Sequence, residues 1–199
     1  MKLGGFILTT CAVLIGGAGL LWATDGLRAF TAEGARRLEI ARIQPQVPDI
    51  RVETMSGAFK TLATTTGEVT LVEFIYTTCA DLCQASGGEF AELRDLIVQQ
   101  DLPVRMLSVS FDPEVDDVNA LISYGELHNA YDETWTIARP DVSALQSILD
   151  FFQVTVIPDN WGGYQHNTAV LLINPDGQFS GVYNTNAYKE ITQAVKAAL

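Results

Sequence analysis

Hydrophobic and polar positions change their period several times along this chain, and each change marks an element. Gly4 to Ala23 carry no charge. As a helix rising about 1.5 Å per residue, such a run reaches across a bilayer core. Trp22 stands at its end, where interfacial aromatics sit. The run is long for a signal peptide, and Leu21-Trp22-Ala23 is a weak small-x-small cleavage site. A single transmembrane helix is therefore expected over 1–24. Residues 25–48 follow as a juxtamembrane linker. Leu27, Phe30, Leu38 and Ile40 are scattered through its polar part, which suits a short helix. Gln44-Pro45-Gln46-Val47-Pro48 then breaks the pattern.

The remainder, 49–199, reads as one domain. Arg51-Val52-Glu53-Thr54-Met55 and Phe59-Lys60-Thr61-Leu62 flank Ser56-Gly57, a β-hairpin. Val69 to Tyr76 is apolar except for Thr70 and Glu73, as in a central strand covered on both faces. Phe90, Leu93, Leu96 and Ile97 recur at helical steps, so a helix is expected from about Leu82 to Gln100. Pro103 to Ser110 is the next strand. Asp116-Asp117 then cap a helix to about Leu127. A short strand, Thr134 to Ala138, precedes a helix capped by Asp141 and running to about Phe152. Val154 to Ile157 is extended, and Asp159 to Asn167 is a polar loop carrying His166. Thr168 to Ile173 and Gln178 to Tyr183 pair around Asn174-Pro175-Asp176-Gly177, and Tyr188 to Leu199 closes as an amphipathic helix. This order predicts an α/β, thioredoxin-like fold with an added N-terminal β-hairpin.

Charge changes the picture in one respect. The chain holds 12 basic and 24 acidic residues, and most of the acidic excess lies beyond Arg42. An acidic domain without a basic stripe argues against nucleic acid as a partner. It suits solubility, a basic partner or a cation. The charge around the apolar run does not orient it. Only Lys2 precedes the run, whereas Arg28, Arg36, Arg37 and Arg42 follow it. Counted alone, they would place the C-terminus inside. A long folded domain, however, translocates largely regardless of charge.

The candidate chemistry lies where the central strand meets the next helix. The three cysteines are Cys11, Cys79 and Cys83, too few for a disulfide framework. Cys11, in the apolar run, reads as a small apolar residue rather than a lipid-bearing one. Cys79 and Cys83 are i and i+4 at a helix start, so both can address one spot, and the helix N-terminus favours thiolate. They suit a soft metal or a redox-active dithiol; two thiolates alone fit Cu(I), and an added imidazole fits copper in either state, or zinc. In a thioredoxin-like fold the loop bearing His166 lies beside them. His128, near a helix end, reads as solvated. Asp81, between the cysteines, is a helix cap or a group supporting the site. Asp112, in Asp112-Pro113-Glu114-Val115-Asp116, is either a turn former or a support of the neighbouring loop.

Phe74-x-Tyr76-Thr77-x-Cys79-x-Asp81-x-Cys83, then Ser108-Val109-Ser110-Phe111-Asp112-Pro113-Glu114, then His166 before Leu172-Ile173-Asn174-Pro175-Asp176-Gly177, resembles the Sco/SenC copper proteins. The resemblance spans roughly Asp49 to Leu199 and the N-terminal run. It implies one copper, as Cu(I) or Cu(II), held by Cys79, Cys83 and His166. It also implies a domain anchored to the bacterial inner membrane and facing the periplasm. The implied role is assembly of the binuclear copper centre of cytochrome c oxidase subunit II, with the upstream copper donor unspecified. Ala80 and Gln84 replace the prolines usual in that family, and Ile75 a usual glycine; these changes bear on loop rigidity, hence on copper affinity and potential. The competing expectation is a membrane-anchored thiol–disulfide oxidoreductase in which Cys79 attacks and Cys83 resolves.

Overall fold

The computed structural model describes residues 2–27, 29–62, 67–78, 82–130, 134–159 and 163–199, with the side chains of 2–7 and 82–85 outside that description. The chain divides into two compact units, Met1–Arg42 and Ile43–Leu199.

In the first unit α1 spans Lys2–Ala23 and α2 spans Ala32–Ile43, the last residue of α2 passing into the second unit. Thr31 starts α2 by accepting the Gly34 amide on its hydroxyl, the local bond that favours threonine at a helix start. Arg36 and Arg37 both pair with Glu33 one turn earlier. Among the described residues no helix is long and apolar enough to cross a membrane. A span over 1–24 therefore does not follow from the structure, although the apolar run is helical as expected.

The second unit is built on a seven-stranded sheet. Its strands are β1 (Arg51–Thr54), β2 (Phe59–Thr61), β3 (Val69–Ile75), β4 (Val104–Ser110), β5 (Trp135–Pro140), β8 (Val170–Ile173) and β9 (Phe179–Tyr183), in the order β2-β1-β5-β4-β3-β8-β9. β3, β4 and β5 are parallel, and β8 and β9 continue the sheet antiparallel. The hairpin β1–β2 adds to the far edge through an antiparallel pairing of β1 with β5. The two remaining strands, β6 (Val156–Pro158) and β7 (Tyr164–His166), form a separate hairpin.

The helices are α3 (Leu82–Gln99), α4 (Val118–Leu127), α5 (Val142–Phe152) and α6 (Tyr188–Ala198). Every residue of β3 is buried, because strands flank it on both sides and helices cover both its faces. Alternation divides its side chains. Leu71 and Ile75 join Phe90, Leu93 and Ile97 of α3, Met106, Trp135, and Ile191 and Val195 of α6 in one core. Phe74, on the opposite face, meets Phe152 of α5 with ring centroids 5.6 Å apart. Asp117 caps α4 by accepting from the Ala120 amide. Asp141 occupies the corresponding position of α5 without a side-chain capping bond, so its expected capping role is not fulfilled there.

Two expectations need correction. His166 lies on β7 rather than in an irregular loop. His128 is buried, at 7 % exposure, not solvated. It ends α4 and folds back against Tyr124, ring centroids 4.6 Å apart, with Trp135 beyond at 6.2 Å. Gly87 of α3 makes room for this packing: a Cβ there would lie 2.4 Å from the Tyr124 hydroxyl and 2.6 Å from His128 Nε2. Burial pushes the His128 pKa down and keeps its ring neutral.

Candidate metal centre

The site is assembled at the carboxyl ends of the parallel strands, where α/β sheets generally bind ligands. β3 and β4 run in register from Val69↔Val104 to Ile75↔Ser110, so their exit loops leave the sheet side by side. The Phe111 amide still donates to the Ile75 carbonyl at 2.8 Å, carrying the ladder one residue further. Tyr76 and Phe111, the first residues past the two strands, then stack with centroids 5.2 Å apart.

The β6–β7 hairpin closes over this pair. Val156 pairs with His166 and Pro158 with Tyr164. Asp159 secures the turn: its amide donates to the Gly163 carbonyl and its carboxylate accepts the Gly163 amide, each at 2.8 Å. Tyr164 meets both Tyr76 and Phe111 edge-on, at 5.2 and 5.6 Å, a favoured geometry for aromatic pairs. The Tyr164 amide donates to the Tyr76 hydroxyl at 3.3 Å. His166 sits two residues along the same strand, hence on the same face, with its ring centroid 4.9 Å from that of Phe111. The hairpin thus brings His166 to the end of β4, beside the end of β3. Burial lowers the His166 pKa, favouring the neutral imidazole that a metal requires.

Of the expected ligands, His166 is placed directly. Cys83 lies in the first turn of α3, its side chain outside the described residues. Cys79 and Asp81 also lie outside the described residues. Thr77 and Thr78 carry the described chain to the residue before Cys79. Among the described residues no group of three or more histidines, cysteines and acids gathers to hold a metal. Cys11 is an exposed free thiol in the first unit.

Asp112 lies close enough to the hairpin for its carboxyl and the Tyr164 hydroxyl to perturb one another. Burial, with the nearby Asp116 and Glu114, pushes the Asp112 pKa up. Asp112 thus stands beside the strand that carries His166. Asp116, four residues on, meets the cysteine side instead and is fully buried. It accepts the Thr77 amide at 3.0 Å and the Thr77 and Ser110 hydroxyls at 2.5 Å each. From the sequence it reads as a helix cap shared with Asp117, or as part of a turn that supports the neighbouring loop. The adjacent Asp117 fills the capping role, which was the available sign that one of the two acids has another use.

Residues 52–199 match the family described as SCO1/SenC. The chain belongs to that family. Among its SCO1/SenC relatives is the SCO1 protein homolog of Bacillus subtilis (strain 168), 24 % identical over 161 residues covering 77 % of this chain and 82 % of that one. The fold is shared with BsSco, in which a disulfide switch was identified and which is a member of the Sco family of cytochrome c oxidase assembly proteins. That similarity has a TM-score of 0.70 at 24 % identity and covers 78 % of this chain and 94 % of the other. Copper-bound ScoI of Bradyrhizobium japonicum has a TM-score of 0.64 at 22 % identity, covering 78 % of this chain and 99 % of its own. At these identities the structural likeness speaks to the fold, and the SCO1/SenC match to the family.

Proposed function

We propose that this protein carries one copper ion between Cys79, Cys83 and His166 and passes it to the binuclear copper centre of cytochrome c oxidase subunit II. The observation that carries this reading is the hairpin that sets a neutral-favouring imidazole at the end of the parallel strands, where the chain turns toward two cysteines. Two thiolates and one imidazole form a donor set suited to copper in both oxidation states. Cu(I) accepts low coordination numbers, so a client's thiolates can enter as the carrier's thiolates leave, without release of the free ion. Copper is here the cargo. This chain's part is to present the donors, to keep His166 fixed and neutral against Phe111, and to let the cysteine loop meet the client. The apolar run before the domain would hold that exchange at the bacterial inner membrane, with the domain in the periplasm.

The test is anaerobic copper titration of the full chain. Binding of one copper that is lost on changing either Cys79 or Cys83 to Ser supports the reading. His166→Ala should weaken Cu(II) far more than Cu(I), because two thiolates still satisfy Cu(I). Full Cu(II) affinity and an unaltered spectrum in His166→Ala would remove His166 from the ligand set. A thiol–disulfide role for the same two cysteines is favoured by one observation, the disulfide switch of BsSco. A mixed disulfide trapped when reduced Cys83→Ser meets a client whose copper-site cysteines are joined as a disulfide would support that alternative, the Cys79 thiolate displacing one client sulfur as a thiolate.

A further inference from the structure

A chain of contacts links the far edge of the sheet to the turn that delivers Cys79. It begins with Glu53 on β1, which accepts Nε and Nη2 of Arg139 at 2.9 and 2.8 Å. Arg139, on β5, turns its remaining nitrogen Nη1 to the carbonyls of Pro113 and Asp116, both at 3.1 Å. The Asp116 amide closes on the Asp112 carbonyl at 2.9 Å, making the segment a compact turn. From that turn the Asp116 side chain reaches 39 residues back to Thr77 and grips it twice, once at the amide and once at the hydroxyl. The Ser110 hydroxyl adds a third donor. Two carboxylate oxygens accepting three donors in a fully buried place make a stiff joint, because breaking any one strands a buried polar group.

Neither of the ordinary uses of a buried acid explains this placement. The helix that follows is capped by Asp117. The nearby cation, Arg139, meets the backbone of Asp116 and gives its other nitrogens to Glu53, so the carboxylate remains committed to Thr77 and Ser110. Among the described residues Asp116 is what ties Thr77 to the sheet side, and Thr77 stands two residues before Cys79.

We infer that Asp116 is a positioning residue of the cysteine site: it clamps Thr77, two residues before Cys79, and so governs how that thiol reacts, with Arg139 and Glu53 anchoring the clamp to the sheet. In its copper arm this inference rests on the function proposed above. A clamped Thr77 leaves less freedom to the chain that follows it and so slows loss of the ion.

The test compares Asp116→Asn with Ser108→Ala in the full chain carrying Cys11→Ser. Asn keeps the shape but replaces one acceptor oxygen by a donor facing Thr77 or Ser110. Ser108→Ala removes a buried hydroxyl bond elsewhere in the sheet. For Asp116→Asn the expected results are release of Cu(I) to a competing chelator about tenfold faster, a changed Cu(II) paramagnetic resonance spectrum, and a changed rate of Cys79 alkylation by iodoacetamide. Ser108→Ala should lower the melting temperature yet leave all three readouts as in the parent. A folded Asp116→Asn with parental release, spectrum and alkylation rate would overturn the inference, as would the same three changes in Ser108→Ala. If the parent chain takes up no copper, the copper reading fails while alkylation still decides the clamp. If Asp116→Asn does not fold, Thr77→Val removes only the hydroxyl arm. It should move the same readouts in the same direction by less, and no movement would overturn the inference.

Discussion

Asp116 and Glu73 are both buried acids in this domain, at 0 and 1 % exposure, yet their surroundings give them opposite characters. Asp116 lies at the carboxyl edge of the sheet, where the strands have ended and a backbone amide is free to meet it. It receives that amide and two hydroxyls. Glu73 lies within β3, whose backbone pairs with β4 from Val69 to Ile75 and with β8 from Thr70 to Val72. It receives the Ser108 hydroxyl at 2.6 Å and that of Ser86, on α3, at 3.4 Å. Trp135 Nε1 donates to Ser108 Oγ at 2.8 Å, which directs the serine proton toward Glu73. Two hydroxyls do not offset burial, which, with a smaller push from Glu89, raises the Glu73 pKa to about 8. What separates the two acids is a backbone donor: Asp116 receives the Thr77 amide, whereas side-chain hydroxyls are the donors that reach Glu73.

The largest expected effect tests the Glu73 side of that contrast. Its folded pKa lies above its unfolded value, so the folded state binds the proton more tightly. Stability is then greatest below about pH 4.5 and falls as pH rises to about 8, beyond which this contribution is flat. The full change is on the order of 5 kcal/mol. Denaturant unfolding at pH 5 and pH 8 should show this slope in the parent and not in Glu73→Gln, which should be the more stable protein at pH 8. Equal slopes in both would make Glu73 an ordinary acid.

Asp116 should respond with the opposite sign. Asp116→Ala strands the Thr77 amide and the Thr77 and Ser110 hydroxyls, at a cost of about 3 kcal/mol. Denaturant unfolding at pH 7 measures it. A gain in stability would erase the contrast between the two acids.

The smallest effect sharpens the chemistry of Glu73. Ser108→Ala removes the stronger of its two donors and should move its titration midpoint above 8, followed by the carboxyl band in infrared difference spectra. It should cost about 1 kcal/mol of stability. A midpoint that fell instead would mean that Ser108 supports the protonated acid.

The hydrophobic pattern carried most of the fold. The strand ending at Ile75, the helix carrying Phe90, Leu93 and Ile97, and the hairpin around Asn174-Pro175-Asp176-Gly177 were legible because period and turn chemistry are local. Elements with little periodicity were less so. The β7 strand, three residues long, is defined by pairing with β6 and not by any pattern of its own. His128 looked solvated because a helix end in sequence does not reveal what packs on it; Trp135 and the space left by Gly87 bury it.

The site divides in the same way. By itself the sequence offered Cys79, Cys83 and His166 as candidate donors and showed that the cysteines follow a buried strand directly. It also marked Asp112-Pro113-Glu114-Val115-Asp116 as a turn on the same side of the sheet. Only the tertiary structure decided that Asp112 lies beside the histidine strand while Asp116 grips Thr77, and that burial pushes the Glu73 pKa up to about 8, so that this acid is largely protonated at neutral pH. The reason is physical. Residue identity and spacing set what a side chain can donate or accept, but burial and the partners that compete with water come from segments far along the chain, and these set what it does.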